Sequence, residues 1–202
     1  KNISISIQKG KMTSIVGPSG SGKSTLIDIL MGYYKIKVGS ISIDETPFEK
    51  INLNSWRDLI GYIPQQPFLF NASIRDNILW ANPKIKNEDI ISACKLAHVH
   101  DFVMDMKDGY ETIVGERGMK LSGGQAQRIC LARAIASQPE ILILDEATSS
   151  LDSKTEQIIQ ETIKNLRNKM TVISIAHRFS TIKNCDCIFE DFISPLGLPY
   201  SA

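Results

Sequence analysis

The sequence predicts an α/β fold, a largely parallel sheet wrapped by helices, with an all-helical stretch set into it. Short runs of β-branched residues and leucine alternate with helix-length segments near both ends of the 202-residue chain. A glycine-rich loop stands between one such strand and the helix after it. Across the middle third, helical spacing replaces the alternation. Strand–helix–strand order implies parallel pairing with right-handed crossovers.

Taken in order, Ile3, Ile5 and Ile7 alternate with serine, the period of a strand with one buried face. Residues 12–16 form a second strand that runs into Gly17, Pro18, Ser19, Gly20, Ser21 and Gly22, and a helix follows over about 23–31 until Gly32 ends it. Residues 41–43 and 62–63 are short strand candidates, the latter stopped by Pro64. Helical spacing then appears at Ile90, Ile91, Cys94, Leu96 and Ala97, and again at Ile129, Leu131, Ala132 and Ile135. The run Ile141, Leu142, Ile143, Leu144 suits a parallel strand covered on both faces. A helix over about 153–168 and a strand over 170–176 complete the alternation. The expected organisation is one domain, with a core of about 1–70 and 139–190, a helical lobe of about 71–138, and an atypical tail at 191–202. In that tail Pro195 and Pro199 argue against a further central strand.

Composition excludes several classes. Lys and Arg total 23 against 22 acidic residues, so charge gives no argument for a nucleic-acid partner, and none is expected. The longest apolar runs span a few residues, far short of the roughly 20 that cross a bilayer. The four cysteines make no disulfide framework, and residues 1–7 do not resemble a signal peptide, so reduced, cytosolic surroundings are expected.

The chemistry begins at residues 17–24, which read G-P-S-G-S-G-K-S and match G-x-x-x-x-G-K-[ST] in full. Glycines let successive N–H groups curl inward, and the following helix adds its positive end to the same point. Lys23 would bring a full charge to the β- and γ-phosphates, being solvated when none is bound; the Ser24 hydroxyl is suited to Mg²⁺ and Thr25 to a phosphate oxygen. A metal so placed needs a carboxylate from a neighbouring strand end, which Asp145 provides. Glu146 leaves that strand where the γ-phosphate would lie and is the candidate base for an attacking water.

Residues 121–125 read L-S-G-G-Q. With the phosphate loop, Gln65 after Ile63 and Pro64, the I-L-I-L-D-E strand, S-S-L-D at 149–152 and His177, the chain resembles the ATPase domain of ATP-binding-cassette transporters. The resemblance covers about residues 2–189 and implies a P-loop NTPase (RecA-like) core that binds and hydrolyses ATP with Mg²⁺. It further implies that Ser122, Gly123, Gly124 and Gln125, at a predicted helix start with free N–H groups, close on a nucleotide held by a second such domain, two ATP molecules being sandwiched head to tail. In the same way Gln65 would touch Mg²⁺ or the attacking water, His177 the γ-phosphate, and Asp152 would couple the two sites. V-G-E-R-G at 114–118 and F-N-A-S-I-R-D-N-I at 70–78 look like the exporter branch, in which the Glu116 segment meets the transmembrane domains on the cytoplasmic side of a membrane. The alternative is a soluble family member acting in translation or DNA repair. A nucleotide-binding module without turnover is disfavoured by the presence of Gln65, Glu146 and His177, and a small-molecule kinase by L-S-G-G-Q. The family's adenine-stacking aromatic lies before residue 1, so this chain is expected to bind ATP more weakly, base stacking on an aromatic being worth roughly 1–3 kcal/mol.

Overall fold

The computed structural model describes residues 3–147, 152–167, 169–176 and 185–190. Strand β1 (Met12–Val16) leads through the glycine loop into helix α1 (Lys23–Leu30). A two-residue-per-strand hairpin, β2 (Ser42–Ile43) and β3 (Thr46–Pro47), precedes α2 (Leu53–Asp58) and β4 (Ile60–Ile63). Four helices then follow without a strand between them: α3 (Ile74–Leu79), α4 (Asn87–Leu96), α5 (His100–Met104) and α6 (Gly123–Ala136). The sheet resumes with β5 (Ile141–Asp145), α7 (Ser153–Leu166), β6 (Thr171–Ile175) and β7 (Cys187–Glu190).

Among the described residues the main sheet has five strands in the order β4-β5-β6-β1-β7, every neighbouring pair parallel. Parallel pairing puts the carboxyl ends of all five on one edge, where α/β sheets bind ligands. Val16, Ile63, Asp145 and Ile175 therefore deliver their following loops to the same side. Successive residues of the central strands face opposite layers. Leu142, Leu144 and Val172 pack with α6, α4 and α7 residues such as Ile129, Ile90 and Ile159, whereas Ile143, Ile173 and Ile175 pack with Ile27 and Met31 beyond α1. This two-sided burial is why the run at 141–144 is continuously apolar.

Helix α6 is buried over most of its surface, and β4 meets it backbone to backbone: a Cβ on Gly61 would lie 2.5 Å from the carbonyl oxygen of Ala134. Only glycine permits that approach.

The expected strand near residue 3 is absent. Residues 3–8 join no ladder, although Ile5 and Ile7 are half-buried, Ser4 and Ser6 are exposed, and Ile7 packs on the α1 layer. One-sided burial alone produces the period-two pattern, without a neighbouring strand. Elsewhere β4 starts two residues earlier than expected, and the helix expected over 153–168 ends at Leu166. Helix α1 stops at Leu30, with Met31 as C-cap and Gly32 at φ 73°. The short helices α3 and α5 lack the length for a periodic signature; Ser73 starts α3 by accepting from the Asp76 N–H at 3.0 Å.

Candidate functional site

Residues 17–22 leave β1 at the carboxyl edge and turn into α1. Gly20 (φ 78°) and Gly22 (φ 99°) adopt left-handed conformations that L-residues with a Cβ rarely tolerate, yet a Cβ at either would meet nothing within 4 Å. Glycine is needed there for backbone shape, and the space beside the loop is open. Gly22 is the N-cap of α1 and has no side chain to offer, so the backbone N–H groups of Lys23, Ser24 and Thr25 find no acceptor among the described residues. Three donors at a helix N-terminus, aimed into open space, make an anion cradle.

Lys23 differs from expectation. It is only 6% exposed, not solvated, and its Nζ donates to the carbonyl oxygens of Gly17 at 3.0 Å and Pro18 at 2.8 Å and to Ser21 Oγ at 3.4 Å. The loop curls around its own lysine, whose ammonium donors are satisfied by neutral oxygens as burial requires. Ser24 and Thr25 are exposed on the first turn.

At the end of β5, Asp145 accepts a hydrogen bond from the Tyr62 hydroxyl at 3.2 Å. Burial raises the Asp145 carboxyl above the usual range and the Tyr62 bond opposes that; Glu146 and Asp28 push it up further and Lys23 draws it down. Around Asp145 the electrostatic balance thus carries negative charge from Glu146 and Asp28 against positive charge from Lys23. Among the described residues no three His, Cys, Asp or Glu side chains converge as a metal cage. One carboxylate, a serine hydroxyl and an amide oxygen suit a hard cation such as Mg²⁺, which keeps several waters and takes phosphate oxygens as ligands.

Glu146 turns out of the strand with φ 47°, a left-handed conformation, its N–H held by the Ile175 carbonyl at 3.2 Å. Such a turn in a non-glycine residue costs about 1–3 kcal/mol and is typical of functional positions. Gln65, in the bend after β4, donates from Nε2 to Glu146 Oε2 at 2.7 Å. Two residues 81 apart in sequence are therefore joined at the carboxyl edge of the sheet, the same edge at which β1 gives way to the phosphate loop.

The residues of L-S-G-G-Q stand elsewhere. Ser122 is the N-cap of α6 and closes a capping box with Gln125: Ser122 Oγ accepts from the Gln125 N–H at 3.2 Å, and Gln125 Oε1 accepts from the Ser122 N–H at 2.9 Å. No hydrogen bond joins residues 122–125 to residues 17–25 among the described residues. Gly124 is tightly placed, since a Cβ there would come within 2.7 Å of Thr155 Oγ1. Thr155 in turn donates from its N–H and hydroxyl to Asp152 at 3.0 and 2.8 Å, so Asp152 caps α7 and, through Thr155, lies against the start of α6. His177 and residues 149–151 of S-S-L-D lie outside the described residues. Sequence reasoning missed Tyr62 and Thr155; the only signal for Tyr62 is the β4–β5 register, which sets Tyr62 opposite Ile143 and Ile63 opposite Leu144.

A phosphate loop between a parallel strand and a helix, with carboxylates leaving the strand ends beside it, defines a nucleotide-binding domain of the P-loop class. Residues 1–149 match the family model of the ABC transporter, and the chain belongs to the ABC transporter family. It is 48% identical, over 93% of its length, to 16% of ABC transporter B family member 22 of Arabidopsis thaliana, and 47% identical, again over 93%, to 22% of the heavy metal tolerance protein of Schizosaccharomyces pombe. Among solved structures it resembles a bacterial Atm1-family ABC exporter with ATP bound, with a TM-score of 0.85 and 40% identity over 92% of this chain and 33% of that one. The chain spans about a fifth of the length of these curated relatives. No described helix is long and apolar enough to cross a membrane.

Proposed function

We propose that this chain is the ATP-hydrolysing domain of an ABC exporter, working as one half of a head-to-tail pair with a second such domain, and that it drives transmembrane domains from the cytoplasmic side of a membrane. In this reading residues 1–70 and 139–190 form the nucleotide-binding core and residues 71–138 a lobe facing the partner. The pairing of Gln65 with Glu146 at 2.7 Å beside an open phosphate loop carries the proposal. It gathers a carboxylate and an amide where a γ-phosphate would lie.

The N–H groups of Lys23, Ser24 and Thr25 bind phosphate oxygens, and Lys23 exchanges the Gly17 and Pro18 carbonyls for the β- and γ-phosphates, with Pro18, Ser19, Gly20, Ser21 and Gly22 forming the wall around it. Ser24, Gln65 and Asp145 would hold Mg²⁺, which supplies charge neutralisation at the β- and γ-phosphates when bound. Glu146 accepts a proton from the attacking water as its oxygen bonds to the γ-phosphorus and the bond to the β-phosphate oxygen breaks. Gln65 orients Glu146 through its hydrogen bond and, with nucleotide bound, would orient the attacking water. His177 donates to the γ-phosphate. Ser122, Gly123, Gly124 and Gln125 act on the nucleotide of the partner domain, and Asp152 links the two sites.

Glu146→Gln tests the proposal. The change keeps size and hydrogen bonding but removes the base, so hydrolysis should fall by about 10²- to 10⁴-fold. Binding of a fluorescent ATP analogue should persist, and the ATP-bound pair should live longer on gel filtration because one negative charge beside the γ-phosphate is gone. A normal turnover rate in Glu146→Gln would remove Glu146 from the chemistry.

A further inference from the structure

The hydroxyl of Tyr62 donates to Asp145 Oδ2 at 3.2 Å, a bond that the strand register makes possible. In the parallel pair Tyr62 stands opposite Ile143 and Ile60 opposite Ile141, and Ile60, Ile141 and Ile143 all pack in the α1 layer. Strand alternation therefore turns Tyr62 and Asp145 to that same face. Asp145 is two residues beyond Ile143, roughly 7 Å along the strand, a distance that the long phenol side chain spans. Helix α1 packs on this face through Leu26, Ile27 and Leu30, and its first turn carries Ser24. Tyr62 is 37% exposed, so its ring adds little to the core, and what the position contributes is the hydroxyl. Among the described residues no other hydrogen bond reaches the Asp145 carboxylate, so one of its oxygens is engaged and the other is not.

We infer that Tyr62 is a positioning residue that sets the cation preference of the nucleotide site: by claiming one oxygen of Asp145 it leaves the carboxylate a single oxygen to offer, which favours Mg²⁺ over Ca²⁺. The inference rests on the reading that Asp145 serves the cation of a bound nucleotide. The two ions ask different things of a carboxylate. Mg²⁺ is small, holds to octahedral geometry and keeps several waters, so one carboxylate oxygen suffices; Ca²⁺ takes about 6–8 oxygen ligands and readily gathers both oxygens of one carboxylate. A hydrogen bond to Oδ2 also locks the rotation of the carboxylate, as partners behind a metal ligand commonly do. A phenol does this as a neutral donor, without the positive charge that Lys or Arg would set against the cation.

The experiment compares Tyr62→Phe with the unsubstituted full chain by equilibrium binding of a fluorescent ATP analogue, titrated with Mg²⁺ or with Ca²⁺. Binding in EDTA should agree between the two proteins to within about twofold, as for sites that share no partner. With Mg²⁺ the cation midpoint should rise in Tyr62→Phe by about tenfold, the effect of losing one hydrogen bond to a charged group. With Ca²⁺ it should stay or fall, because both Asp145 oxygens become available. The preference should therefore move toward Ca²⁺ by about tenfold or more. A preference that does not move, because both midpoints shift alike or neither does, overturns the inference, since a purely structural phenol would treat the two ions alike; so does a move toward Mg²⁺. Should Tyr62→Phe fail to fold, the unsubstituted protein decides: it should reach half-saturation at a lower concentration of Mg²⁺ than of Ca²⁺, and the reverse order overturns the inference. Asp145→Asn isolates the reading beneath it and should weaken the effect of both cations on binding. A cation effect that is unchanged in Asp145→Asn, or absent from the unsubstituted protein, overturns the assignment of Asp145 to the cation, and the inference with it.

Discussion

The two glycine-bearing helix starts, that of α1 at Gly22 and that of α6 at Ser122, solve the same problem in opposite ways. Both leave orphan N–H groups. At α1 the N-cap is a left-handed glycine without a side chain, and three successive amides, those of Lys23, Ser24 and Thr25, are unpaired among the described residues. At α6 the N-cap is a serine in extended conformation, and the capping box takes up the amides of Gln125 and Ser122, leaving Gly123 and Gly124. The first start offers three successive amides, whereas the second commits the Gln125 amide and the Ser122 amide to its own side chains and offers those of Gly123 and Gly124. A helix terminus can therefore be a standing site or a latent one, according to whether its cap carries an oxygen.

The largest effect that tests this contrast is expected from Lys23→Ala. Charge-assisted hydrogen bonds are worth about 1.5–3 kcal/mol each, so ATP affinity should fall by at least about tenfold, read by equilibrium binding to the isolated subunit. Because Lys23 also gathers the Gly17 and Pro18 carbonyls, amide exchange across residues 17–22 should speed up even without nucleotide, while the thermal midpoint changes little. Unchanged affinity would break the assignment of α1 as the standing site.

Ser122→Arg should leave that affinity nearly intact and yet abolish turnover, since in the proposed head-to-tail pair Ser122 acts on the partner's nucleotide and, among the described residues, shares no hydrogen bond with residues 17–25. Mixing it with Lys23→Ala should restore at most one complete site per pair, measured as ATPase activity of the mixture. Equal loss of subunit binding in both variants would make the two helix starts parts of one site.

The smallest effect belongs to Gln125→Ala. It frees the Ser122 N–H and leaves Ser122 Oγ to cap alone, so stability should drop by about 0.5–1 kcal/mol, or roughly 1–4 °C in the midpoint at this chain length. If the cap is what keeps α6 latent, nucleotide-driven pairing should weaken little or even improve in this variant, whereas a structural-only cap would lower pairing along with stability. Analytical ultracentrifugation with Mg²⁺ and ATP separates the two.

Legibility in the sequence followed how local each determinant is. Strand β5 could be read because both of its faces are buried, which leaves an unbroken apolar run; the glycine loop could be read because its backbone shape demands particular residues. Residues 3–7 misled because half-burial against the α1 layer imitates the alternation of a strand. The burial of Lys23 was illegible, since its acceptors are carbonyl oxygens, which every sequence has. Tyr62 and Asp145 meet only through the register between β4 and β5, and Gln65 and Glu146 only because two strand ends share an edge. The family resemblance supplied Gln65 as a site residue, but its direct bond to Glu146 came from the fold.

The contact between Gly124 and Thr155 has a consequence for descent. With Thr155 Oγ1 only 2.7 Å from where a Cβ would stand, position 124 cannot acquire any side chain unless position 155 first gives up bulk, and a change at 155 disturbs the hydroxyl that Asp152 holds. One position in each of two motifs, 124 and 152, is therefore bound to a third outside both, and a side chain at 124 is expected to be tolerated only with a compensating change at 155.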